Sequence, residues 1–240
     1  LAFNHMLDNV EGALAARHAS EVKLRQFVAD ASHELRNPLA AIRGYAELTR
    51  RERAELSPTM AHALGRIESE SDRMSSLVED LLLLARLDSG PALDLAPTDV
   101  TEIVLNATSD ARAAGPDHTW SLSLPEEPVL ATADRYRLHQ VLANLLANAR
   151  THTPPGTRVE TAVAVQDGHA VITVSDDGPG IAPDLQPAVF ERFTRAEVSR
   201  VRKQGGSSTG LGLAIVAAVV AAHHGTAEVE SRPGRTVFTI

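Results

Sequence analysis

The chain has 240 residues, a formal charge of −8 with its histidines neutral, and no cysteine. The length predicts one or two domains with a sizeable core. The acidic balance argues against non-specific nucleic-acid binding, which needs a basic face, and the lack of cysteine excludes disulfides and thiolate metal sites. The longest apolar run, residues 211–222, is too short to cross a bilayer and predicts a buried helix. Because the chain opens with Leu1 and stops in a predicted strand at Ile240, we expect a soluble piece of a longer protein.

The first third of the chain has heptad spacing. Apolar or small residues recur in steps of four and three at Leu24, Val28, Ala31, Leu35, Pro38, Ile42 and Tyr45. This spacing predicts a helix with one buried face. His33 falls on the opposite face, with Glu34 beside it and Asn37 one turn further on. A solvated surface histidine would give the same pattern, so the rest of the chain has to decide what His33 does.

A second helix is predicted to begin at Ser57-Pro58, with the serine as N-cap and the proline in the first helical position. Its apolar stripe consists of Met60, Leu64, Ile67, Met74, Val78, Leu81 and Ala85. Two long helices joined by a short turn predict an antiparallel hairpin. Two such hairpins can bury their stripes together, which predicts a homodimer with a four-helix bundle. Residues 91–98 are then interpreted as a linker.

The remaining 142 positions, residues 99–240, alternate between helices and strands. The predicted elements are a helix at 99–112, strands at 119–124 and 129–131, a helix from the cap Asp134 to about residue 151, strands at 157–165 and 170–175, a helix at 210–223, and strands at 228–231 and 236–240. Such a mixture predicts an α/β two-layer sandwich, in which helices cover one face of a sheet.

Two asparagines stand out on the helix that follows Asp134. Asn144 and Asn148 are spaced i, i+4 on an otherwise apolar helix, so both amides lie on one side. Amide oxygens suit a hard cation such as Mg²⁺, whose remaining positions can be filled by phosphate and water. A structural pair of hydrogen-bonded amides is the alternative.

Two glycine-containing segments flank the later strands and helix. The strand that ends at Ser175 continues into Asp176-Asp177-Gly178-Pro179-Gly180, where a carboxylate could accept an exocyclic amine; a plain tight turn has the same sequence. Residues 205–212 are glycine-rich and precede a helix, which is typical of a phosphate cradle. Leu211 and Gly212 stand where a P-loop requires Lys and Ser/Thr, so Walker A is rejected.

A basic segment lies between these two. It contains Arg195, Arg200, Arg202 and Lys203 and has little apolar content. This composition favours a mobile lid whose cations meet phosphates.

Five segments, taken in order, resemble the transmitter core of sensor histidine kinases with a GHKL-type (Bergerat) ATP-binding domain. His33-Glu34-Leu35-Arg36-Asn37-Pro38 resembles the H box, and residues 144–149 resemble the N box. Residues 176–180 are similar to the G1 box, residues 190–193 to the F box, and residues 210–213 to the G2 box. Residues 3–7 are similar to the end of a HAMP linker. The resemblance covers nearly the whole chain and implies four segments: 1–22 HAMP-like, 23–90 dimerisation and phosphoacceptor, 91–98 linker, and 99–240 ATP-binding.

The resemblance implies a role for each matched residue. His33 would be the phosphoacceptor, Glu34 the base at its other ring nitrogen, and Asn37 would position the phosphoryl group or a water. Asn148, assisted by Asn144, would hold Mg²⁺ against the phosphates of ATP. The implied ATP-binding set is Asn144, Asn148, His152, Asp176, Gly178, Gly180, Ile181, Phe193, Arg195, Thr209, Gly210, Leu211, Gly212 and Leu213.

The resemblance also implies partners and a location. It implies an ATP-dependent autokinase that acts as a homodimer, passes its phosphoryl group to the receiver domain of a response regulator, and also removes it. The chain would be the cytoplasmic portion of a membrane sensor, with the membrane reached only through parts missing from this chain. Many members carry Lys or Arg and then Tyr where this chain has Thr151 and His152, so Arg150 or the lid is the candidate substitute.

Two other functions fit parts of the pattern. A GHKL ATPase of the chaperone or mismatch-repair kind would not need His33 on a dimer hairpin. A pseudokinase scaffold would be expected to have a broken box, and none of the five is broken.

Overall fold

The computed structural model describes residues 39–49, 57–87, 93–194 and 210–240. The chain divides into two compact units, Leu1–Gly90 and Pro91–Ile240. His33, Glu34 and Asn37, the HAMP-like residues 1–22 and the basic segment 195–209 lie outside the described residues.

The first unit is helical, with α1 at residues 39–49 and α2 at Pro58–Leu87. The predicted start of α2 is confirmed, since the backbone N–H of Met60 donates to Ser57 Oγ at 3.3 Å. A serine cap of this kind stabilises a helix by about 1 kcal/mol. Of the helices in the described residues, none is long and apolar enough to cross a membrane.

The two helices of the first unit lie side by side and leave an apolar stripe uncovered. Arg43 Nη1 and Asp72 Oδ1 form an exposed ion pair at 3.0 Å between α1 and α2, and Leu39, Ala46 and Ser71 are buried. The exposed apolar side chains, 44% to 73% accessible in the single chain, are Ile42, Tyr45, Leu48, Met60, Ile67 and Met74. All but Leu48 belong to the predicted stripes. An exposed stripe of this extent is typical of a surface that packs against a partner.

The second unit is an α/β fold, as the sequence predicts. Its elements are β1 (Ala96–Asp99), α3 (Val100–Ala114), β2 (Thr119–Ser123), β3 (Leu130–Ala133), α4 (Arg135–His152), β4 (Arg158–Gln166), β5 (His169–Asp176), a 3-10 turn (Gln186–Ala188), α5 (Gly212–Ala222), β6 (Glu228–Arg232) and β7 (Arg235–Thr239). The main sheet has the order β2-β4-β5-β7-β6. Its first pair is parallel and the other pairs are antiparallel.

The core lies between one face of this sheet and the helices. Along β4 the side chains of Val159, Thr161 and Val163 are buried, whereas the intervening Arg158 and Glu160 are exposed. This alternation means that one face of the strand is covered. The opposing layer consists of side chains with at most 1% exposure: Val141, Leu142, Leu145 and Leu146 of α4 and Ile215, Val216 and Val219 of α5. The unit is therefore a two-layer sandwich.

Among the predicted boundaries that differ from the structure, two change how the chain is described. Residues 96–98 were predicted to belong to the linker 91–98. Together with Asp99 they form β1, which pairs antiparallel with β3. The sequence signal was missing because the strand is short, contains Pro97, and depends on a partner far along the chain. Helix α5 begins at Gly212 instead of Gly210, because Gly210 has a φ of 71° and so cannot belong to a right-handed helix.

Candidate functional site

The carboxylate of Asp176 ends β5 and is half-buried. Its Oδ1 accepts a hydrogen bond from the backbone N–H of Gly178 at 3.0 Å. Within the described residues Oδ2 accepts none, so this oxygen is the one available to a ligand. Burial raises the pKa of Asp176, an effect that the Gly178 hydrogen bond opposes and the nearby Asp177 reinforces.

The glycines after Asp176 are required by the protein's own packing. A Cβ on Gly178 would lie 2.6 Å from Thr153 Cγ2 and 2.7 Å from Asp176 Oδ1. A Cβ on Gly180, where φ is 83°, would lie 2.7 Å from the backbone of Arg232. The sequence predicts that these glycines make room for a base. The structure adds a nearer reason, since a side chain at either position would displace neighbouring protein atoms.

Thr153 connects α4 to this turn, and sequence reasoning missed it. Its Oγ1 donates to the carbonyl of Ala149 at 2.7 Å and lies 3.0 Å from His118 Nε2. Because the hydroxyl proton is already used, His118 must be the donor and carries a proton on Nε2. The methyl group of Thr153 packs against Gly178. No local pattern signals this role, since His118 and Gly178 lie in segments far from Thr153 along the chain.

A hydroxyl pair on the neighbouring strands was also missed. Thr236 of β7 is 3% exposed and is the Cα partner of Asp176 in the sheet. Its Oγ1 lies 2.9 Å from Ser231 Oγ, which accepts from the backbone N–H of Ile181 at 2.8 Å. Gln186 Nε2 donates to the carbonyls of Ile181 and Ser231. These contacts fix the predicted residue Ile181 relative to Asp176.

The two asparagines of α4 differ in their surroundings, although both are half-buried. Asn144 Nδ2 donates to the carbonyl of Gly212, the first residue of α5, at 3.2 Å. The side chain of Asn148 makes no hydrogen bond within the described residues. The N-box and G2-box segments are therefore in direct contact through Asn144.

Two residues near the end of α4, His152 and Arg150, were predicted to contact ATP or its phosphates. His152 is exposed on the last turn of α4. Arg150 was a candidate to replace the usual phosphate-binding cation, but its Nη1 donates to the carbonyl of Ala114 at 3.1 Å. Its side chain also lies against Gly115, where a Cβ would approach it to 2.8 Å. The C-terminal end of α3 attracts a cation through its unpaired carbonyls, which explains this contact. That Arg150 or the lid replaces the usual phosphate-binding cation stays a prediction.

The F-box and G2-box residues also meet. The backbone N–H of Phe193 donates to the carbonyl of Gly210 at 2.8 Å. Phe193 has a φ of 64° and is 58% exposed. Leu211 has no exposed surface, so its side chain serves the core and only its backbone could face a ligand, whereas Leu213 is half-buried. Phe193 and Gly210, which flank the basic segment in the sequence, are therefore hydrogen-bonded neighbours. Arg195 and Thr209 lie outside the described residues.

The donor set matches a divalent ion held jointly with phosphate. In the described part of the chain no three His, Asp or Glu side chains form a cluster that could hold a metal. Amide and phosphate oxygens are the hard ligands that Mg²⁺ accepts, and Asn148 offers such an oxygen. Elsewhere, a cavity of about 390 Å³ lies between β1 and the start of α4, lined by Asp94, Asp134 and Tyr136 among others. It contains none of the predicted site residues.

The chain belongs to the sensor histidine kinase family. Residues 23–90 match the family model described as the His Kinase A (phospho-acceptor) domain. Residues 133–240 match the histidine kinase-, DNA gyrase B- and HSP90-like ATPase. These matches confirm the resemblance drawn from the five boxes and identify the second unit as an ATP-binding domain.

Individual relatives support the same assignment. "Probable sensor histidine kinase TcrY" of Mycobacterium tuberculosis is 58% identical over 239 residues, which cover 100% of this chain and 50% of TcrY. The chain spans about half the length of the curated relatives it matches. The crystal structure of full-length ShkA in complex with AMPPNP has a TM-score of 0.71 and 30% identity, covering 89% of this chain and 45% of ShkA. The mycobacterial sensor histidine kinase MprB has a TM-score of 0.53 and 32% identity, covering 60% of this chain and 94% of that structure.

Proposed function

We propose that the chain is an ATP-dependent autokinase that transfers the γ-phosphoryl group of ATP to His33 and then to an aspartate of a response regulator. The observation that carries this proposal is the meeting of separate boxes in one ATPase unit. Asn144 of the N box contacts Gly212 of the G2 box, and Thr153 at the end of the N-box helix packs on Gly178 of the G1 box. His33 lies in the other unit, within the match to the phosphoacceptor domain.

In this proposal, Asp176 holds the adenine. Its free Oδ2 accepts the exocyclic amine, while Gly178 keeps Oδ1 occupied and the carboxylate oriented. Burial strengthens such a hydrogen bond, since water does not compete for the carboxylate. Thr153 contacts the Gly178 turn, and Thr236 lies opposite Asp176 in the sheet. Together they keep the end of β5 in place.

The phosphates would then lie near the start of α5. Helix N-termini present unpaired N–H groups to anions, and Gly210 and Gly212 leave this backbone accessible. Asn148 would hold Mg²⁺, which supplies positive charge to the phosphate oxygens of ATP. Phosphoryl transfer needs mainly positioning and charge neutralisation, so residues that fix the nucleotide do most of the work.

The phosphoacceptor residues follow from the family. We infer that His33 attacks the γ-phosphorus, that Glu34 accepts or holds the proton on the other ring nitrogen, and that Asn37 positions the phosphoryl group or a water that removes it. The same histidine would serve transfer to the receiver domain and, with Asn37, its dephosphorylation.

We further propose a homodimer formed through the first unit. The exposed stripe of Ile42, Tyr45, Met60, Ile67 and Met74 supports it, because a stripe of this length needs a partner helix. A dimer contains two ATPase units and two copies of His33. The HAMP-like start of the chain and its place in a membrane sensor stay predictions.

The experiment uses γ-labelled ATP and the whole 240-residue chain. His33→Gln should bind ATP and dimerise as the wild type does but take up no label. His62→Gln, which changes an exposed histidine of the same unit, is the matched control and should be labelled normally. The label on the wild type should be acid-labile, as expected for a phosphorus–nitrogen bond. Acid-stable label on His33→Gln would refute the proposal, and hydrolysis of ATP without any labelled protein would favour a GHKL ATPase.

Mixing two inactive variants tests the division of labour. Asn148→Ala should present an intact His33 without using ATP. After subunit exchange with His33→Gln, label on the Asn148→Ala chain would establish transfer between protomers. No label, with exchange confirmed independently, would establish transfer within one protomer.

A further inference from the structure

Helices α4 and α5 run antiparallel and are joined by two hydrogen bonds, one at each end of α5. At the start of α4 the backbone N–H of its N-cap Asp134 donates to His223 Nε2, at the end of α5, at 2.9 Å. In the middle of α4 Asn144 Nδ2 donates to the carbonyl of Gly212, the first residue of α5, at 3.2 Å. The two bonds are separated by ten residues on α4 and eleven on α5, which corresponds to about 15 Å along each helix. Buried apolar side chains fill the space between them.

The hydrogen bond of Asn144 fixes which way its amide faces. A backbone carbonyl is only an acceptor, so the nitrogen of the amide must point to Gly212 and the oxygen must point away from that carbonyl. The amide of Asn148, one turn later, has no such partner among the described residues. The two members of this i, i+4 pair are therefore in different states before any ligand arrives. One is already engaged with the protein, and the other is available.

Gly212 is a sensitive place for such a contact. It opens α5 directly after Gly210, whose backbone has a positive φ, and Leu211, whose side chain is buried. A Cβ on Gly212 would lie 3.7 Å from Asn144 Cγ, an ordinary van der Waals distance, so the two residues are direct neighbours. A change at Asn144 therefore acts first on the turn that presents the N–H groups of α5.

We propose that Asn144 is a positioning residue for the phosphate-binding turn and is not a magnesium ligand. This inference rests on the proposed function, since it concerns the same nucleotide site. Asn144 acts through the carbonyl of Gly212, and Asn148 is the amide that serves the metal. The i, i+4 spacing, which suggested a shared role, places the two amides on one side of α4. Asn144 nevertheless contacts Gly212, whereas Asn148 would contact the metal.

The test separates nucleotide binding from its dependence on metal. ADP affinity is measured by calorimetry on the 240-residue chain, once with Mg²⁺ and once with EDTA. For Asn144→Ala we expect affinity to fall about 2- to 10-fold in both conditions, as for loss of one hydrogen bond. The ratio of the two affinities should stay at the wild-type value. For Asn148→Ala, the matched control, affinity in EDTA should be nearly unchanged and the effect of Mg²⁺ should disappear.

Asn144→Asp sharpens the distinction. It keeps an oxygen that Mg²⁺ prefers but removes the donor and turns a carboxylate toward the carbonyl of Gly212. A positioning role predicts that this variant binds ADP in EDTA at least as weakly as Asn144→Ala. A metal-ligand role predicts that Asn144→Asp retains or increases the effect of Mg²⁺. Loss of affinity only in Mg²⁺, or no loss in either condition, would overturn the inference.

A second readout does not need nucleotide. Hydrogen exchange of the amides at 213–216 should accelerate in Asn144→Ala and remain at the wild-type rate in Asn148→Ala. Equal rates in both variants would count against the inference. If the wild type bound no ADP at all, the proposed function itself would fail. If the wild type binds ADP and Asn144→Ala loses affinity only in Mg²⁺, only this inference is rejected.

Discussion

Replacing Asp176 by asparagine should exchange the base preference of the nucleotide site. The substitution keeps the size of the side chain and one oxygen. In the wild type Oδ1 accepts the N–H of Gly178 at 3.0 Å, which leaves Oδ2 for the exocyclic amine of adenine. In Asp176→Asn the oxygen must stay with Gly178, since an amide nitrogen cannot accept that bond. The NH₂ group then faces the adenine amine, donor against donor.

The magnitude follows from the hydrogen bond that is lost. A hydrogen bond to a charged group contributes roughly 1.5–3 kcal/mol, and about 2 kcal/mol corresponds to about 30-fold in affinity. ADP should therefore bind Asp176→Asn about 30-fold more weakly. IDP carries a carbonyl in place of the amine, so the wild-type carboxylate repels it and the asparagine NH₂ can donate to it. IDP should bind the variant better than it binds the wild type.

The dependence on pH gives an independent check. Because burial raises the pKa of Asp176, the carboxyl group takes up a proton at a higher pH than an exposed aspartate does. The adenine amine needs the ionised form, so affinity for ADP should be greatest above this pKa and fall as the pH drops through it. Asp176→Asn should lose that dependence. Calorimetry with ADP and IDP from roughly pH 4, near the ordinary pKa of an aspartate, to roughly pH 8 measures all these effects. Equal weakening of ADP and IDP would refute direct reading of the base.

Three further predictions address metal, packing and stability. Asn148→Ala should lose about 10- to 100-fold in MgADP affinity, extrapolating from metal-site data. Calorimetry measures this loss, and an affinity equal to that of the wild type would reject Asn148 as a metal ligand. Gly178→Ala should abolish ADP binding at an unchanged secondary structure, because its Cβ would lie 2.7 Å from Asp176 Oδ1; normal binding would contradict this. Burial, with a smaller effect of Glu79, raises the pKa of Asp80 to about 6. The ionised carboxylate therefore destabilises the fold above that pH. Below about 3.8, the ordinary pKa of this group, the carboxyl is protonated in the folded and the unfolded chain and has no such effect. Asp80→Asn should therefore stabilise the chain at pH 8 by about 1 kcal/mol after allowance for its partial exposure and have little effect at pH 4, measured by denaturant unfolding; an equal effect at both values would refute it.

The sequence predicted those parts of the fold that depend on local patterns. The caps at Ser57 and Asp134 were predicted at the starts of their helices, and the structure has the expected acceptor bonds at both. Asp99, predicted as the first residue of a helix, is a third N-cap in the structure. The strands β4 and β5 likewise follow from alternation and from the turn Asp167-Gly168. In contrast, β1 has no pattern of its own and exists only because β3 pairs with it.

The same division holds for the candidate site. Residue types at fixed spacing, such as Asn144 with Asn148 or Asp176 with Gly178, could be found from the sequence. Thr153 could not, because His118 and Gly178 contact it from segments far away in the sequence. The sequence also could not show which group a long side chain contacts, as Arg150 demonstrates. Its position next to the N box suggested phosphate, but the end of α3 lies within its reach.

Asp134 illustrates why the polar contacts matter more than the boxes suggest. The sequence gives it one role, capping α4, and the structure adds two. Its Oδ2 accepts the N–H of Asp94, 40 residues earlier, and its own N–H donates to His223, 89 residues later. Asp134 therefore joins the entry of the chain into the second unit, the N-box helix and the G2-box helix. Since both helices also meet at Asn144 and Gly212, a shift of α4 would have to break one bond or carry α5 with it. The part of α4 from Asp134 to Asn144 is thus bonded to both ends of α5, so we expect the N-box and G2-box helices to shift together at the point where Asn144 meets Gly212.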